Sequence, residues 1–394
     1  MVKAQALMGI LLGFSRMVGI WWAVISLLQS VPKALNVCMA KDFRPVSCCI
    51  VVYKTITRII TTRLSHIFSS IISPSQTTFV KGRNIVDNTL LDQEIVKGYS
   101  WKSLSPRCAI KIDLQKAFDY VNWDFLMVVL EAVGLPVNFC SWIRPCVTSS
   151  QFSVSLNGSL VGYFRGARGV RQRDPLSLYL FVLVMNVLSS LLDVSTKKGI
   201  FRSIGVLSWF HGCFEYPEGF YKFSDLRLNA QKTKLYACGL SDSVLQQIQS
   251  GTGFRVGMLP VKYLGVSLVT RKLTSKDCSA LVTKIKEKLC KWSNRKLSFG
   301  DRLQLIKYVM FNIFSYWSRQ LILPKGVISD VERLCMRFFW KGCDFPAKRA
   351  RVSWNQICYL KSEGGLGLRS LVDWKACCLK ILALGCLFQL LSHC

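Results

Sequence analysis

The amino-acid sequence predicts an α+β fold in which an antiparallel sheet packs against helices. Cys108 to Leu114 is a short, mainly apolar run with Asp113 near its end, as is typical of a strand. Asn157-Gly158 lies between two alternating runs, a strong signal for a two-residue hairpin. The final third of the chain has apolar residues at helical spacing, so strand and helix signals occupy different parts of the sequence.

The composition indicates a basic, folded protein of 394 residues, long enough for two or three domains. It has 52 Lys and Arg against 22 Asp and Glu, a net charge of +30. Such a surface repels itself unless it meets polyanions, and nucleic acid is the commonest of these. Because 51% of the residues are apolar, a disordered basic tail is disfavoured. A merely soluble basic protein, or an artefactual reading frame, is the alternative interpretation.

The cysteines predict neither a zinc site nor a disulfide framework. No two of the 17 have Cys-x-x-Cys spacing, and the chain has three histidines. Reduced thiols, packed as small apolar residues in an intracellular protein, are the expectation.

The segment from Ala6 to Leu28 is long and apolar enough to span a membrane. Arg16 lies near its middle, which costs roughly 2.5–3.5 kcal/mol on insertion scales. One hypothesis is a membrane anchor or uncleaved signal. The other is an apolar N-terminal helix, or residues left from a truncated gene start. Since the following sequence is typical of intracellular proteins, we expect the nucleus or cytoplasm and no membrane partner.

The next elements are a helix and a basic turn. Ile50 to Leu64 has the spacing of an amphipathic helix with a basic face, and Ser73-Pro74 stops it. Gly82 frees the backbone between Lys81 and Arg83. This turn suits a phosphate, although a solvated loop explains it equally well.

The middle of the chain contains clear start and stop signals. Trp123 to Val133 is predicted as a helix closed by Gly134. Asp174-Pro175 places an N-cap before a proline, which predicts a helix that runs to about Leu192. No element is predicted for Trp209 to Gly219. Leu281 to Trp292 is predicted as a helix surrounded by lysines.

Asp113 has the surroundings of a metal ligand in nucleotidyl transfer. That reaction uses two Mg²⁺ ions about 4 Å apart, which carboxylates hold. Asp113, at a strand end, could bridge both ions. Phe118 could lie under the incoming sugar and exclude a 2′-hydroxyl. For this pattern alone, a helix N-cap and a core aromatic are the commoner explanations.

Nine sequence blocks follow one another along the chain: FRPVSCC from residue 43, QTTFVKGRNIVDN from 76, AIKIDLQKAFDYVNWDF from 109, SLNGSLVGYF from 155, GVRQRDPLSLYLF from 169, LRLNAQKTKLYACG from 226, LPVKYLGVSL from 259, RKLSFGDRLQLI from 295 and LKSEGGLGLRSL from 360. In order and spacing they resemble the reverse transcriptase of plant LINE-type (non-LTR) retrotransposons. The resemblance covers roughly Asp42 to Lys380.

This resemblance implies a right-hand polymerase with fingers, palm and thumb, which performs Mg²⁺-dependent, RNA-directed DNA synthesis. Its partners would be an RNA template, a DNA primer and deoxynucleoside triphosphates, with no defined protein partner. The implied regions are an apolar N-terminal segment of uncertain role (1–41), fingers-like (42–108), palm-like (109–270), thumb-like (271–345) and a C-terminal extension (346–394).

The resemblance also assigns roles to individual residues. Asp113 would hold the metal, and Lys232 would protonate the leaving pyrophosphate. The residues implied for nucleotide binding are Phe118, Lys81, Arg83 and Gln172. Those implied for primer and template are Tyr263, Gly265, Lys284 and Lys288.

The chain departs from the family where the second metal-binding block belongs. No two aspartates are adjacent anywhere in the sequence, although the family carries Asp-Asp on a palm hairpin before the Leu226 block. We predict a deletion with its junction near Gly199, affecting 199–225, and a missing palm hairpin. A single carboxylate predicts weak or absent Mg²⁺ binding and no turnover.

Smaller departures agree with a decayed copy. Arg173 and Asp225 stand where the family has glycine. If the glycine that Arg173 replaces is left-handed, a bulky residue there costs roughly 1–2 kcal/mol and crowds the nucleotide pocket. Leu178 replaces a usual proline, and the family's endonuclease and Cys/His-rich regions are not expected in this chain.

Three functions follow from the sequence. The first is a reverse transcriptase domain that is catalytically inactive as the chain stands. The second is a non-catalytic, basic nucleic-acid-binding remnant, and the third is a membrane-anchored protein led by residues 6–28.

Overall fold

The computed structural model describes residues 24–32, 43–97, 99, 107–156, 159–198, 219–293, 296–342 and 352–378. Within these ranges helices predominate over short strands, which confirms the α+β class. Most of the apolar segment 6–28, the junction near Gly199 and residues 209–218 lie outside the described residues.

The chain divides into two compact units. The first contains Met1–Asn84, Cys108–Leu235 and Leu240–Val256, and the second contains Ile85–Arg107, Tyr236–Gly239 and Gly257–Cys394. The fingers-like, palm-like and thumb-like division stays a prediction.

The strands are β1 (Val24–Pro32), β2 (Phe43–Cys48), β3 (Arg107–Lys111), β4 (Ser150–Leu156), β5 (Ser159–Arg165), β6 (Lys234–Cys238), β7 (Arg255–Val256), β8 (Val261–Tyr263) and β9 (Val266–Leu268). They form sheets in the orders β2-β1-β4-β5, β3-β6-β7 and β8-β9. Two pairings, β1 with β4 and β6 with β7, are parallel, which the sequence did not indicate.

The four-stranded sheet confirms one hairpin and revises the N-terminal segment. β4 and β5 pair antiparallel with Leu156 opposite Ser159, which confirms the predicted hairpin. Asn157 and Gly158 themselves lie outside the described residues. Residues 24–28, the end of the predicted apolar span, belong to β1 and pair with neighbouring strands. That part of the segment is therefore strand and not membrane helix.

The helices are α1 (Val51–Ile71), α2 (Ile85–Lys97), α3 (Ala117–Tyr120), α4 (Trp123–Ala132), α5 (Val137–Thr148), α6 (Pro175–Lys197), α7 (Asp242–Thr252), α8 (Ser279–Ser293), α9 (Phe299–Leu305), α10 (Phe311–Gln320), α11 (Lys325–Lys341) and α12 (Trp354–Cys358). A π-helix, Ile306–Met310, joins α9 to α10, and residues 219–224 and 371–378 are also helical.

The start of α6 follows the predicted chemistry. The Asp174 carboxylate accepts a hydrogen bond from the Ser177 backbone N–H at 3.0 Å, and Pro175 is the first helical residue. The helix continues to Lys197, beyond the expected end at about Leu192. In this last part Ser195 is buried and its hydroxyl donates to the Leu191 carbonyl at 2.7 Å, while Val194 is exposed.

The core of the first unit lies among α1, α4, α5 and α6. Leu64, Leu126, Ile143 and Leu180 are fully buried there. Within the described part of the chain, α6 is long and apolar enough to cross a membrane by length and composition. Since the core helix of a soluble protein passes the same test, and α6 packs against α1, the helix is weak evidence for a membrane span.

The second unit is built on helix packing. Leu281 and Ile285 of α8 meet Phe314 of α10 and Phe338 of α11 in one buried cluster. The helix predicted over Leu281 to Trp292 is thus confirmed. The β8-β9 hairpin belongs to the same unit, with Val266 fully buried.

Candidate functional site

Asp113 follows β3 at a strand end that backbone hydrogen bonds hold in place. Its N–H donates to the Thr233 hydroxyl at 3.2 Å, and its carbonyl accepts from the Asn229 N–H at 2.7 Å. Thr233 is fully buried, whereas Asp113 is half-buried. The strand end is therefore tied to residues about 120 positions later in the sequence.

Lys232 lies in the turn that makes those bonds. Its N–H donates to the Asn229 carbonyl at 3.1 Å, and the Thr233 N–H donates to the same carbonyl at 2.8 Å. The Lys232 side chain is exposed. The structure thus brings the segments of the two predicted catalytic residues together, while the catalytic role of Lys232 stays a prediction.

A second contact joins the Phe118 segment to the Gln172 loop. The Val170 N–H donates to the Phe118 carbonyl at 2.7 Å. The Gln172 side-chain amide donates to the Asp119 carboxylate at 3.2 Å. We call segments 113–123, 169–174 and 226–233 the Asp113 frame, because these hydrogen bonds connect them.

Phe118 is partly buried at the edge of the core. Its ring stacks on Phe181 of α6, with centroids 4.6 Å apart and an angle of 22° between the rings. This is the contact of a core aromatic, and a contact with an incoming sugar stays a prediction.

Gly169 allows the close approach within the Asp113 frame. Its φ is +89°, and a Cβ built there would lie 2.6 Å from the Asp119 carbonyl oxygen. Its N–H donates to the Val121 carbonyl at 2.8 Å. Any side chain at this position would force two segments apart.

Three non-glycine residues of the Asp113 frame and its border have left-handed backbone conformations, and one of them is Lys116, with φ 39°. Arg173 has φ 69° and Asp225 has φ 62°. Arg173 and Asp225 are the two positions at which the resemblance implies glycine. The backbone at Arg173 is left-handed, which is the condition under which we predicted strain there.

Arg83 closes the end of α1. Its guanidinium donates to the carbonyls of Ser69 (3.0 Å), Ile72 (2.9 Å), Ser73 (2.5 Å) and Gln76 (2.7 Å). Lys81, two residues earlier, is exposed. The observed role of Arg83 is to satisfy backbone acceptors at a helix end, and contact of either residue with a triphosphate stays a prediction.

The basic loop before α6 is divided between core and surface. Arg171 is buried, stacks over the Tyr53 ring at 4.2 Å and donates to the Cys146 carbonyl at 3.2 Å. Burial raises the pKa of the nearby Asp174 carboxyl. Arg168 and Arg173 are exposed, so they and not Arg171 can meet a ligand.

The remaining predicted site residues belong to the second unit. Leu264 (φ 48°) and Gly265 (φ 86°) form the two-residue turn after Tyr263. Burial, and then the charge of Asp92, raise the pKa of the Tyr263 hydroxyl. Lys284 and Lys288 are exposed on α8, beside its buried stripe of Leu281, Ile285 and Leu289. Their contacts with primer or template stay predictions.

The described residues do not complete a two-metal centre. No three His, Cys, Asp or Glu side chains form a metal-holding group in the part of the chain that the structure describes. Asp113 offers one carboxylate, and the Asp119 carboxylate accepts a hydrogen bond from the Gln172 side-chain amide. This donor set does not fit a pair of Mg²⁺ ions, which carboxylates must bridge.

Sequence reasoning missed a polar cleft in the first unit. It is lined by Gln115, Tyr120, Arg168, Tyr221, Asp225 and Arg227. The signal in the sequence was weak: tyrosines and arginines in three separate blocks, with no motif to connect them.

The family model described as reverse transcriptase (RNA-dependent DNA polymerase) matches residues 31–207. The chain is 27% identical over 347 residues to the transposon TX1 uncharacterized 149 kDa protein of Xenopus laevis, covering 81% of this chain and 26% of that protein. It is 32% identical over 172 residues to the Pol polyprotein from the type-2 retrotransposable element R2DM of Drosophila melanogaster, covering 43% and 16%.

The chain therefore spans about a quarter or less of the length of these relatives. Among solved structures, a telomerase from Candida tropicalis has 11% identity and a TM-score of 0.46, over 90% of this chain and 61% of that one. At that score the likeness adds nothing to the family match.

Proposed function

This chain carries a reverse transcriptase domain of the non-LTR retrotransposon type, and from that premise we propose that it binds nucleic acid without extending a primer. The single observation that carries the proposal is the composition of the Asp113 frame. Its backbone connections are in place, while no set of carboxylates for two metal ions forms around Asp113 among the residues that the structure describes.

The loss of catalysis is supported by chemistry of the two-metal reaction. One ion activates the primer 3′-hydroxyl and the other holds the triphosphate, so a single carboxylate fills only part of the requirement. The sequence contains no adjacent aspartates that could supply the rest. Binding of Mg²⁺ by this chain is accordingly proposed to be weak or absent.

The binding of nucleic acid is supported by charge. The net charge is +30, and exposed lysines such as Lys284, Lys288 and Lys232 occur in both units. Each Lys or Arg that neutralises a phosphate releases a counterion, which gives affinity that falls with salt. An RNA template and a DNA primer are the proposed partners.

Primer extension separates the two parts of the proposal. Purified chain is given an RNA template annealed to a labelled DNA primer, deoxynucleotides, and Mg²⁺ or Mn²⁺. We expect a salt-dependent gel shift of the primed template and no lengthened primer. Incorporation that is abolished by Asp113→Ala would contradict the loss of catalysis, and the absence of any gel shift at low salt would contradict binding.

A further inference from the structure

The cleft of the first unit, which we call the Arg–Tyr cleft, is lined by Gln115, Tyr120, Arg168, Tyr221, Asp225 and Arg227 and has a volume of about 250 Å³. Gln115 anchors one wall, since its N–H donates to the Arg227 carbonyl at 2.9 Å. Gln115 follows Asp113 by two positions in the sequence. The resemblance assigns no role to the cleft that Gln115 lines.

Both arginines of the cleft lie over tyrosine rings. The Arg168 guanidinium is 4.2 Å from the Tyr120 ring centroid, and that of Arg227 is 4.6 Å from the Tyr221 centroid. The Arg227 guanidinium also donates a hydrogen bond to the Tyr221 hydroxyl. Stacking restricts each planar group and fixes the direction of its donors.

The charges of the cleft do not balance. Among the described residues its one lining carboxylate is that of Asp225, which lies 3.8 Å from Arg168 and accepts from the Asn122 side chain at 3.2 Å. Lys116 adds a further positive charge, with its ammonium 5.9 Å from the Tyr120 centroid. Two arginines and a lysine against one aspartate leave an excess positive charge.

The backbone at the border of the cleft is strained. Lys116 has φ 39° and Asp225 has φ 62°, and non-glycine residues in this region are concentrated at binding sites. At Asp225 the strain holds a carboxylate beside an arginine, where an external anion would otherwise bind.

We propose that the Arg–Tyr cleft binds a backbone phosphate of an RNA or DNA strand, with Arg227 as the main contact and Asp225 as a competing internal anion. A rigid guanidinium fork matches phosphate oxygens. The volume is below the roughly 300–1,000 Å³ of pockets that enclose a drug-sized molecule, so it suits a phosphate with part of its sugar. This inference rests on the proposed function.

The test compares RNA binding by the full chain and four variants, using fluorescence anisotropy with a labelled single-stranded 20-mer over a salt series. Arg227→Gln weakens binding about fivefold and reduces the slope of log affinity against log salt by about one. Arg168→Gln also weakens RNA binding and reduces the salt slope. Asp225→Asn strengthens binding about twofold to fivefold because it removes the competing carboxylate, and circular dichroism of each variant checks that it is folded. Arg255→Gln, an exposed arginine of the same unit that does not line the cleft, serves as the control and leaves the slope unchanged.

Each outcome decides between hypotheses. Absence of binding by the unaltered chain overturns both the cleft and the proposed function. Binding with the same affinity and salt slope in Arg227→Gln, or an equal effect of Arg255→Gln, overturns the cleft alone. A last outcome is that micromolar dATP or inorganic phosphate displaces the 20-mer from the unaltered chain but not from the Arg227→Gln variant. In that case the cleft binds a free nucleotide or phosphate, and the assignment to a strand is wrong.

Discussion

The Asp113 frame and the helical core of the second unit are held together by different kinds of interaction. In the Asp113 frame, backbone groups bond across long stretches of sequence, as Asp113 does with Thr233 and Asn229. In the second unit, side chains from successive helices fill a common core, with the Trp292 and Phe338 rings 5.8 Å apart. The first arrangement depends on backbone conformation at a few positions, and the second on side-chain volume.

This difference bears on the proposed loss of catalysis, because the two arrangements respond differently to a change of side chain. Neither the backbone bond between Asp113 and Asn229 nor the bond from Asp113 to the Thr233 hydroxyl requires a carboxylate, so the strand end does not depend on the second metal-binding block. Dependence on backbone conformation makes the Asp113 frame sensitive to backbone strain, and three non-glycine residues of the frame and its border already have left-handed conformations.

The largest effect is expected where side-chain volume matters most. Phe338→Ala should lower the free energy of unfolding by about 3–5 kcal/mol, because a fully buried ring leaves a cavity. Urea denaturation followed by circular dichroism measures it. Phe299→Ala, a ring that is 54% exposed, is the matched control and should cost less than about 1 kcal/mol. Equal losses would show that core volume does not hold the second unit.

In the Asp113 frame a single methyl group should have a large effect. Gly169→Ala combines a left-handed φ, worth about 1–2 kcal/mol, with overlap against the Asp119 backbone, worth about 1–3 kcal/mol more. Gly82→Ala has a similar φ of +84° and nothing within 4 Å of its Cβ, so it reports the strain alone. The comparison fails if urea denaturation gives the two variants the same loss of stability.

A smaller effect of opposite sign is expected at Arg173. Arg173→Gly relieves the left-handed strain, and after the entropy of the more flexible unfolded chain is subtracted, it should raise stability by about 0.5–1 kcal/mol. Arg144→Gly, inside α5, should instead lower stability by about 1 kcal/mol. Thermal melts of both variants test this, and destabilisation by Arg173→Gly would show that Arg173 is not strained.

The smallest expected effect is a dependence on pH. Burial raises the pKa of Asp174 in the folded state, so its contribution to stability is fully present below the unfolded pKa of about 3.9 and is lost as pH rises through the folded pKa. The unaltered chain should therefore lose stability relative to Asp174→Asn as the pH rises above the unfolded pKa of about 3.9. Denaturation midpoints at several pH values measure this difference, and a constant difference would contradict the raised pKa.

The sequence could predict elements whose signals are local. The Asp174-Pro175 start of α6 and the Asn157-Gly158 connection depend on neighbouring residues, and both are confirmed. The parallel pairing of β1 with β4 joins distant segments and leaves no local signal. Arg83 was interpreted from its charge, but its donors are directed to carbonyls at the end of α1, a geometry that only the folded chain defines.

For the candidate site, the motif identified Asp113 and the Gln172 loop but not their partners. The bond between Gln172 and Asp119 and the stacked Arg–Tyr pairs arise where three separate segments meet. Spacing along the sequence cannot show such meetings, because they depend on tertiary packing.

The parallel pairing of β1 with β4 has a consequence for synthesis on the ribosome. Val24 pairs with Ser150, so β1 emerges well before its partner has been made. At about 5–20 residues per second, the 126 residues from Ile25 to Ser150 take roughly 6–25 s to translate. During this interval one edge of β1 has no partner strand and is open to pairing with other chains. Binding of a chaperone to that edge, or aggregation through it, would therefore take place before the hydrogen bonds of the Asp113 frame can form.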